Sequence, residues 1–122
     1  MAQKIVYVLT KNPKEKSEIV SSVFAQALTS LSFGYETEIF LMDAAVEIAR
    51  KGVLDGVKAP TFEPIAEMLS NYLEMEGILY ICHPSSDARE IKESDCIEGI
   101  AKFVNASKLL ESSIQADALF TY

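Results

Sequence analysis

The sequence predicts an α/β protein, a three-layer α/β/α sandwich built on a mostly parallel five-stranded sheet. Two observations predict it. Ile5-Val6-Tyr7-Val8-Leu9 and Ile78-Leu79-Tyr80-Ile81-Cys82 are apolar along their whole length, as strands covered on both faces are. Such runs alternate with stretches of helical periodicity, and right-handed crossovers turn that alternation into a parallel sheet with helices on both sides. The 122 residues fit one domain spanning 1–122, with no internal repeat or linker.

In chain order, the first strand gives way to Asn12-Pro13-Lys14-Glu15, a helix start. Asn12 can cap free amides, Pro13 suits a first turn, and Glu15 can reach back as in a capping box. Ile19, Val20, Val23, Phe24, Ala27, Leu28 and Leu31 form the apolar stripe of this helix, and Gly34 ends it by accepting a left-handed conformation. Tyr35 to Leu41 is a second strand, and Ala44 to Lys51 a short helix stopped at Gly52. The stretch from Gly52 to Pro60, with its glycines and proline, reads as a mobile loop. Thr61 to Glu76 is a further helix terminated at Gly77. After the strand Ile78 to Cys82 come a polar loop and a helical turn from Ser94 to Glu98. A fourth strand, Ile100 to Val104, a helix capped by Asn105 and ending near Ser113, and a last strand, Ala116 to Thr121, complete the chain.

Composition narrows the function. About half the residues are hydrophobic and a quarter charged, with a net charge of −7. An acidic surface repels phosphate backbones and anionic lipid, which argues against nucleic-acid and membrane partners. It also disfavours acidic substrates outside a pocket that has its own cation. No apolar run reaches the ~20 residues of a membrane span. The start Met1-Ala2-Gln3-Lys4 lacks a signal-peptide layout, so a cytoplasmic protein is expected. Cys82 and Cys96 lack zinc-site spacing, and in the reducing cytosol a structural disulfide is not expected.

Ligands of an open parallel sheet gather outside the carboxyl ends of its strands. That rule selects Thr10, Lys11 and Asn12, then Met42 and Asp43, then Cys82-His83-Pro84-Ser85-Ser86-Asp87-Ala88-Arg89, then Asn105 and Thr121. Cys82 is the candidate nucleophile. A thiolate forms more readily beside a cation or free amides, and a helical turn begun by Pro84 and Ser85 would offer both a hydroxyl at Ser85 and a charge at Arg89. The same cysteine also reads as the last packed residue of a strand, since free Cys behaves as a small hydrophobe. His83, the single histidine, should face away from Cys82, because successive strand residues point to opposite faces. Asp43 can serve as a base or cap the following helix. Thr10, Asn12, Met42, Asp43 and His83 are the expected pocket-lining residues. Thr10 to Glu15 contains no glycine, so a phosphate-binding loop after the first strand is missing, and no Gly-x-Ser-x-Gly elbow exists. No cofactor or metal is expected.

Four stretches together resemble the DsrE/DsrF-like family, which includes sulfur-relay subunits of the TusBCD type. They are the strand Lys4 to Leu9; the first helix running into Gly34-Tyr35-Glu36-Thr37-Glu38-Ile39-Phe40; the strand end Phe40-Leu41-Met42-Asp43; and Gly77 through Gly99. In the last, the family's strand-end Cys, small or polar residue, Arg and acidic turn fall on Cys82, Ser85, Arg89 and Glu93-Ser94-Asp95-Cys96-Ile97-Glu98-Gly99. The resemblance implies a fold that is flavodoxin-like in general architecture, assembly into dimers, trimers or hexamers, and a role for Cys82 in carrying sulfur as a persulfide. Glu90 stands where many relatives place glycine. The functional expectation is therefore a cytosolic sulfur carrier or sulfurtransferase-like protein, with Ser85 and Arg89 stabilising thiolate and leaving group and a protein as sulfur donor or acceptor. The alternatives are a non-enzymatic oligomeric module for a small ligand or protein, with Cys82 only lining its pocket, and a thiol redox sensor that brings Cys82 and Cys96 together.

Overall fold

A computed structural model describes residues 3–122, so Met1 and Ala2 of the expected leaderless start lie outside the described residues. Five strands, β1 (Lys4–Leu9), β2 (Glu36–Leu41), β3 (Ile78–Cys82), β4 (Phe103–Val104) and β5 (Ala118–Thr121), pair in the order β4-β3-β2-β1-β5. Every pairing is parallel. Four α-helices connect them: α1 (Ser17–Ser32), α2 (Ile65–Glu74), α3 (His83–Ala88) and α4 (Ala106–Gln115), with 3-10 turns at Asp43–Ala49 and Glu93–Asp95. The three-layer α/β/α fold read from the sequence is thus the observed one, with the sheet wholly rather than mostly parallel.

The strand register sorts side chains between two faces. Tyr7 pairs with Ile39 and Phe120, and Ile39 with Leu79. These residues face α1 and α2: Tyr7 Oη and Ser30 Oγ of α1 lie 2.7 Å apart. Tyr72 of α2 meets Phe24 of α1 edge-on. Its buried hydroxyl donates to the Thr37 and Ile78 carbonyls at 3.1 and 2.6 Å. Burial pushes that phenol well above its ordinary range. The opposite face carries Lys4, Glu38, Phe40, Tyr80 and Cys82 beneath α4. There Lys4 Nζ pairs with Glu38 at 3.2 Å and donates to Gln115 of α4 at 3.2 Å.

Local chemistry explains the element ends and where they depart from expectation. Asn12 Oδ1 accepts from the Lys14 and Glu15 amides, yet the α-helix proper starts later, at Ser17. The expected helix start at Thr61 moves to Ile65. Thr61 is β-branched with φ +70°, and Pro64 takes the extended cap position just before the helix, disfavouring helical backbone in the residue ahead of it. The stretch read as a mobile loop forms a series of turns, with Val57 N–H bonded to the Leu54 carbonyl and with Leu54 and Ala59 buried. The fourth strand shortens to Phe103–Val104 and the last to Ala118–Thr121.

Three helices end alike. Gly34 closes α1 with φ +83°, its N–H bonding to the Leu31 carbonyl and that of Tyr35 to Ser30. At α2 the left-handed position is held by Glu76, not by Gly77 as expected. Gly77 is required for a different reason: a Cβ there would collide with the Tyr72 ring. Gly77→Ala should therefore lower stability by about 1–3 kcal/mol in urea unfolding, the usual cost of overpacking a filled core. An unchanged midpoint would contradict this packing account.

Candidate active site at Cys82

The β3 run ends where Pro84, which cannot donate to a ladder, enters the chain. Cys82 is both the last strand residue and the residue that precedes α3. It shares a face with Tyr80, and its side chain is half-buried. Ser86, fully buried, ties the junction by donating its hydroxyl to the Cys82 carbonyl at 2.8 Å.

Ser85 is the residue that completes the site. Its hydroxyl donates to Cys82 Sγ at 3.2 Å. The same oxygen accepts the backbone N–H of Asp43 at 2.9 Å. A hydroxyl has one proton to donate, and the Asp43 amide occupies a lone pair, so the proton is aimed at sulfur. Asp43 presents that amide from an unusual backbone, φ +51°, at the first residue of the 3-10 turn after β2. Met42 holds the cap position of that turn, and Asp43 acts here through its main-chain N–H rather than as a helix cap.

An apolar cleft of about 240 Å³ opens beside the sulfur. Phe40 and Met42 at the end of β2, Pro84 of α3, Val104 of β4 and Leu109 of α4 form its walls, with Asn105 at the rim of α4.

The other expected site residues are placed as follows. Arg89 folds back on its own helix and donates from Nη1 to the Ser85 carbonyl at 3.2 Å. No hydrogen bond joins it to the sulfur among the described residues. Arg50, paired with Glu47 at 2.7 Å, donates to the Arg89 carbonyl. Glu90 adopts φ +54°. Its N–H bonds to the Asp87 carbonyl and that of Ile91 to Ser86, a Schellman closure of α3 made without glycine. Glu90 thus closes the loop in a left-handed conformation, at a cost on the order of 1–2 kcal/mol for a non-glycine residue.

His83 was expected among the pocket residues and is not one of them. It is exposed, 3.5 Å from Asp87 and edge-on to Phe103, because strand alternation turns it from the Cys82 side. Thr10 and Asn12 also lie apart from the cleft. Thr10 bonds to the Tyr122 carbonyl through both N–H and hydroxyl, and Asn12 caps the turn before α1. Leu109, Val104 and Phe40 were not singled out as site residues. Only the pairing of β3 with both neighbours brings them to the sulfur.

Cys96 occupies a separate, buried position. It borders a groove with Lys51, Ser94 and Gly99, away from the lining of the Cys82 cleft, and its S–H donates weakly to the Lys92 carbonyl at 3.5 Å. Burial first, then Asp95, pushes its thiol above the ordinary range. Among the described residues no cluster of three or more potential ligands could hold a metal ion. No helix there is long and apolar enough to cross a membrane.

Against known proteins, a sequence model of the DsrE/DsrF-like family matches residues 3–122. Uncharacterized protein MJ0989 of Methanocaldococcus jannaschii is 31% identical over 119 residues, covering 98% of this chain and 99% of that one. Uncharacterized protein MK0008 of Methanopyrus kandleri is 35% identical over 74 residues, 61% of this chain and 58% of its own length. Among solved structures, the ychN protein from E. coli matches with a TM-score of 0.75 at 22% identity, covering 98% of this chain and 99% of that chain. A protein of unknown function, MTH1491 from Methanobacterium thermoautotrophicum, matches at 0.72 and 11% identity, with coverage of 98% and 99%. At these identities the structural likeness shows the fold.

The two thiols should separate in reactivity. Alkylation of the native protein at mildly acidic pH should modify Cys82 well before Cys96, with Cys96 reacting only as pH rises, because its raised pKa keeps it protonated longer. Peptide mapping of the labelled protein tests this, and equal rates at the two sites would leave Cys82 as a packing residue.

Proposed function

We propose that this chain, which belongs to the DsrE/DsrF-like family, works as a sulfur carrier with Cys82 as the thiol that forms a persulfide. The family as a whole is associated with sulfur relay. The observation that carries the reading is the ordered chain from the Asp43 amide through the Ser85 hydroxyl to Cys82 Sγ. A packing cysteine has no need of a hydroxyl whose other side is held by a strained backbone amide. A sulfur that must exist as an anion, first as thiolate and then as persulfide, gains from such a donor.

The transfer balances without a cofactor. The Cys82 thiolate attacks the outer sulfur of a donor persulfide R–S–SH. A new S–S bond forms at Cys82, the donor's S–S bond breaks, and its electron pair leaves with R–S⁻. The terminal proton stays on the transferred sulfur or passes to water. Ser85 stabilises the sulfur anion. Arg89 and Arg50 are positioning residues that hold Ser85 and the end of α3 through main-chain carbonyls.

Intact mass after incubation with a persulfide donor should show a gain of one sulfur atom on Cys82, removed by reductant and lost in Cys82→Ser. Ser85→Ala should slow loading roughly tenfold, the equivalent of about 1.4 kcal/mol and close to the lower end of the range for a hydrogen bond to a charged group. If no adduct forms with any donor, the protein is the alternative, a binding module whose pocket Cys82 merely lines.

The carrier is further proposed to be a homo-oligomer. On α4, Leu110 and Ile114 are 62% and 75% exposed, and on the edge strand β5 Leu119 and Phe120 are 42% and 44% exposed. A second copy is the occupant these surfaces suit, since β5 presents an unpaired backbone edge beside them. Light scattering should give a multiple of the chain mass, and Ile114→Lys should shift it toward the monomer. A monomer mass across a wide concentration range would rule assembly out.

A further inference from the structure

We infer that Cys82 exchanges sulfur with a thiol borne on an uncharged, apolar arm and discriminates against anionic donors such as thiosulfate; this specifies the donor of the carrier reading and rests on it. The cleft beside the sulfur is the observation. Its walls are Phe40, Met42, Pro84, Val104 and Leu109, and no charged side chain lines it among the described residues. Its volume, about 240 Å³, exceeds the roughly 150 Å³ in which an apolar cavity accommodates benzene. A benzyl or short alkyl group attached to the reacting sulfur therefore fits.

An anion meets no charged side chain in the lining of the cleft among the described residues. Arg89 is engaged by the Ser85 carbonyl. Lys108 of α4 lies over the Tyr80 ring, 5.4 Å from its centroid, and pairs with Glu111. Lys51 and Lys102 border the separate groove at Cys96. The chain as a whole carries −7. A thiosulfate or sulfonate group brought to Cys82 would lose water against Phe40, Val104 and Leu109, with the Ser85 hydroxyl already committed to the sulfur and only the uncharged donors of Asn105 and Ala106, at the start of α4, left to meet it. An apolar arm gains from the same walls. The transfer written above holds with R apolar, and R–S⁻ leaves toward solvent across the open side of the cleft.

Two measurements test this separately from the carrier reading. In the first, Cys82 is challenged in the Cys96→Ala protein with benzyl persulfide, glutathione persulfide and thiosulfate, each rate being divided by that of N-acetylcysteine amide, a free neutral thiol. Benzyl persulfide should load at least tenfold faster than glutathione persulfide on this scale, and thiosulfate should not load. In the second, neutral dithiodipyridine and the dianionic aromatic disulfide of Ellman's reagent react with the same thiol, which requires no persulfide chemistry. The neutral reagent should be favoured at least tenfold over its advantage with the free thiol. The preference should survive about 1 M salt, where the screening length of about 3 Å removes repulsion by the net charge but not the cost of entering the cleft. Leu109→Lys should erase most of it and Leu109→Met should keep it. Equal normalised rates for neutral and anionic reagents in wild type, or loading from thiosulfate, would overturn the apolar-arm inference while leaving the carrier intact. Failure of every donor to load, with the disulfide preference present, would overturn the carrier reading and leave a cleft selective for apolar thiols.

Discussion

Parallel pairing of β2 with β3, in the register that sets Leu41 beside Ile81, is the constraint from which the site follows. Both strands then reach the carboxyl edge together, so the residues just beyond them, Met42-Asp43 and Cys82, meet. A slip by one residue would turn Cys82 toward α1 and α2 and carry the Asp43 amide away from Ser85. The register is itself enforced by burial. Ile39, Leu41, Leu79 and Ile81 are at most 2% exposed on one face, while Phe40 and Tyr80 stack at 4.9 Å on the other. The geometry around Cys82 is thus a by-product of filling two cores at once.

The two sides of the sheet are built differently, and the site lies on the lighter side. Beneath α1 and α2 the packing is dense and aromatic, with Tyr72 fixed at the centre by two backbone carbonyls. Beneath α4, the single buried residue of the helix is Ser112, and its long apolar residues Leu110 and Ile114 point outward. The buried Lys4–Glu38 pair anchors that layer through Gln115. A buried ion pair contributes little net stability against an apolar alternative, because its desolvation offsets most of its attraction. A layer held this way leaves room for a cleft at the strand ends, where Leu109 and Val104 approach Cys82 without closing over it.

Two of the four left-handed non-glycine residues among the described residues serve the surroundings of Cys82. Asp43 and Glu90 both occupy left-handed backbone, which costs Glu90 about 1–2 kcal/mol and the short polar Asp43 less. One aims an amide at Ser85 and the other closes the helix that carries Ser85. Thr61 and Glu76, the other two left-handed non-glycine residues, end or precede helices at a distance in sequence from the site.

What the sequence determined by itself was whatever depends on local pattern. The unbroken apolar runs at Ile5 to Leu9 and Ile78 to Cys82 specified doubly covered strands, Gly34 specified a helix end, and Pro84 with Ser85 specified a strand that stops at a thiol and turns into a helix. Alternation also places His83 away from Cys82, and His83 stands outside the lining of the cleft. What only the tertiary structure decided was every relation between segments remote in the chain. Strand order brought Phe40, Val104 and Leu109 to the sulfur and kept Thr10 and Asn12 from it, since β1 lies on the far side of β2 from β3. Arg89 turned to its own helix because a carbonyl one turn back competes well with a half-buried sulfur, a choice that residue spacing does not encode. The Asp43 amide entered the site through a φ angle and a register, neither of which has a signature in residue type. Side-chain identity carries local preference; the meeting of side chains across a sheet is fixed by which strands pair, and that is a property of the whole core.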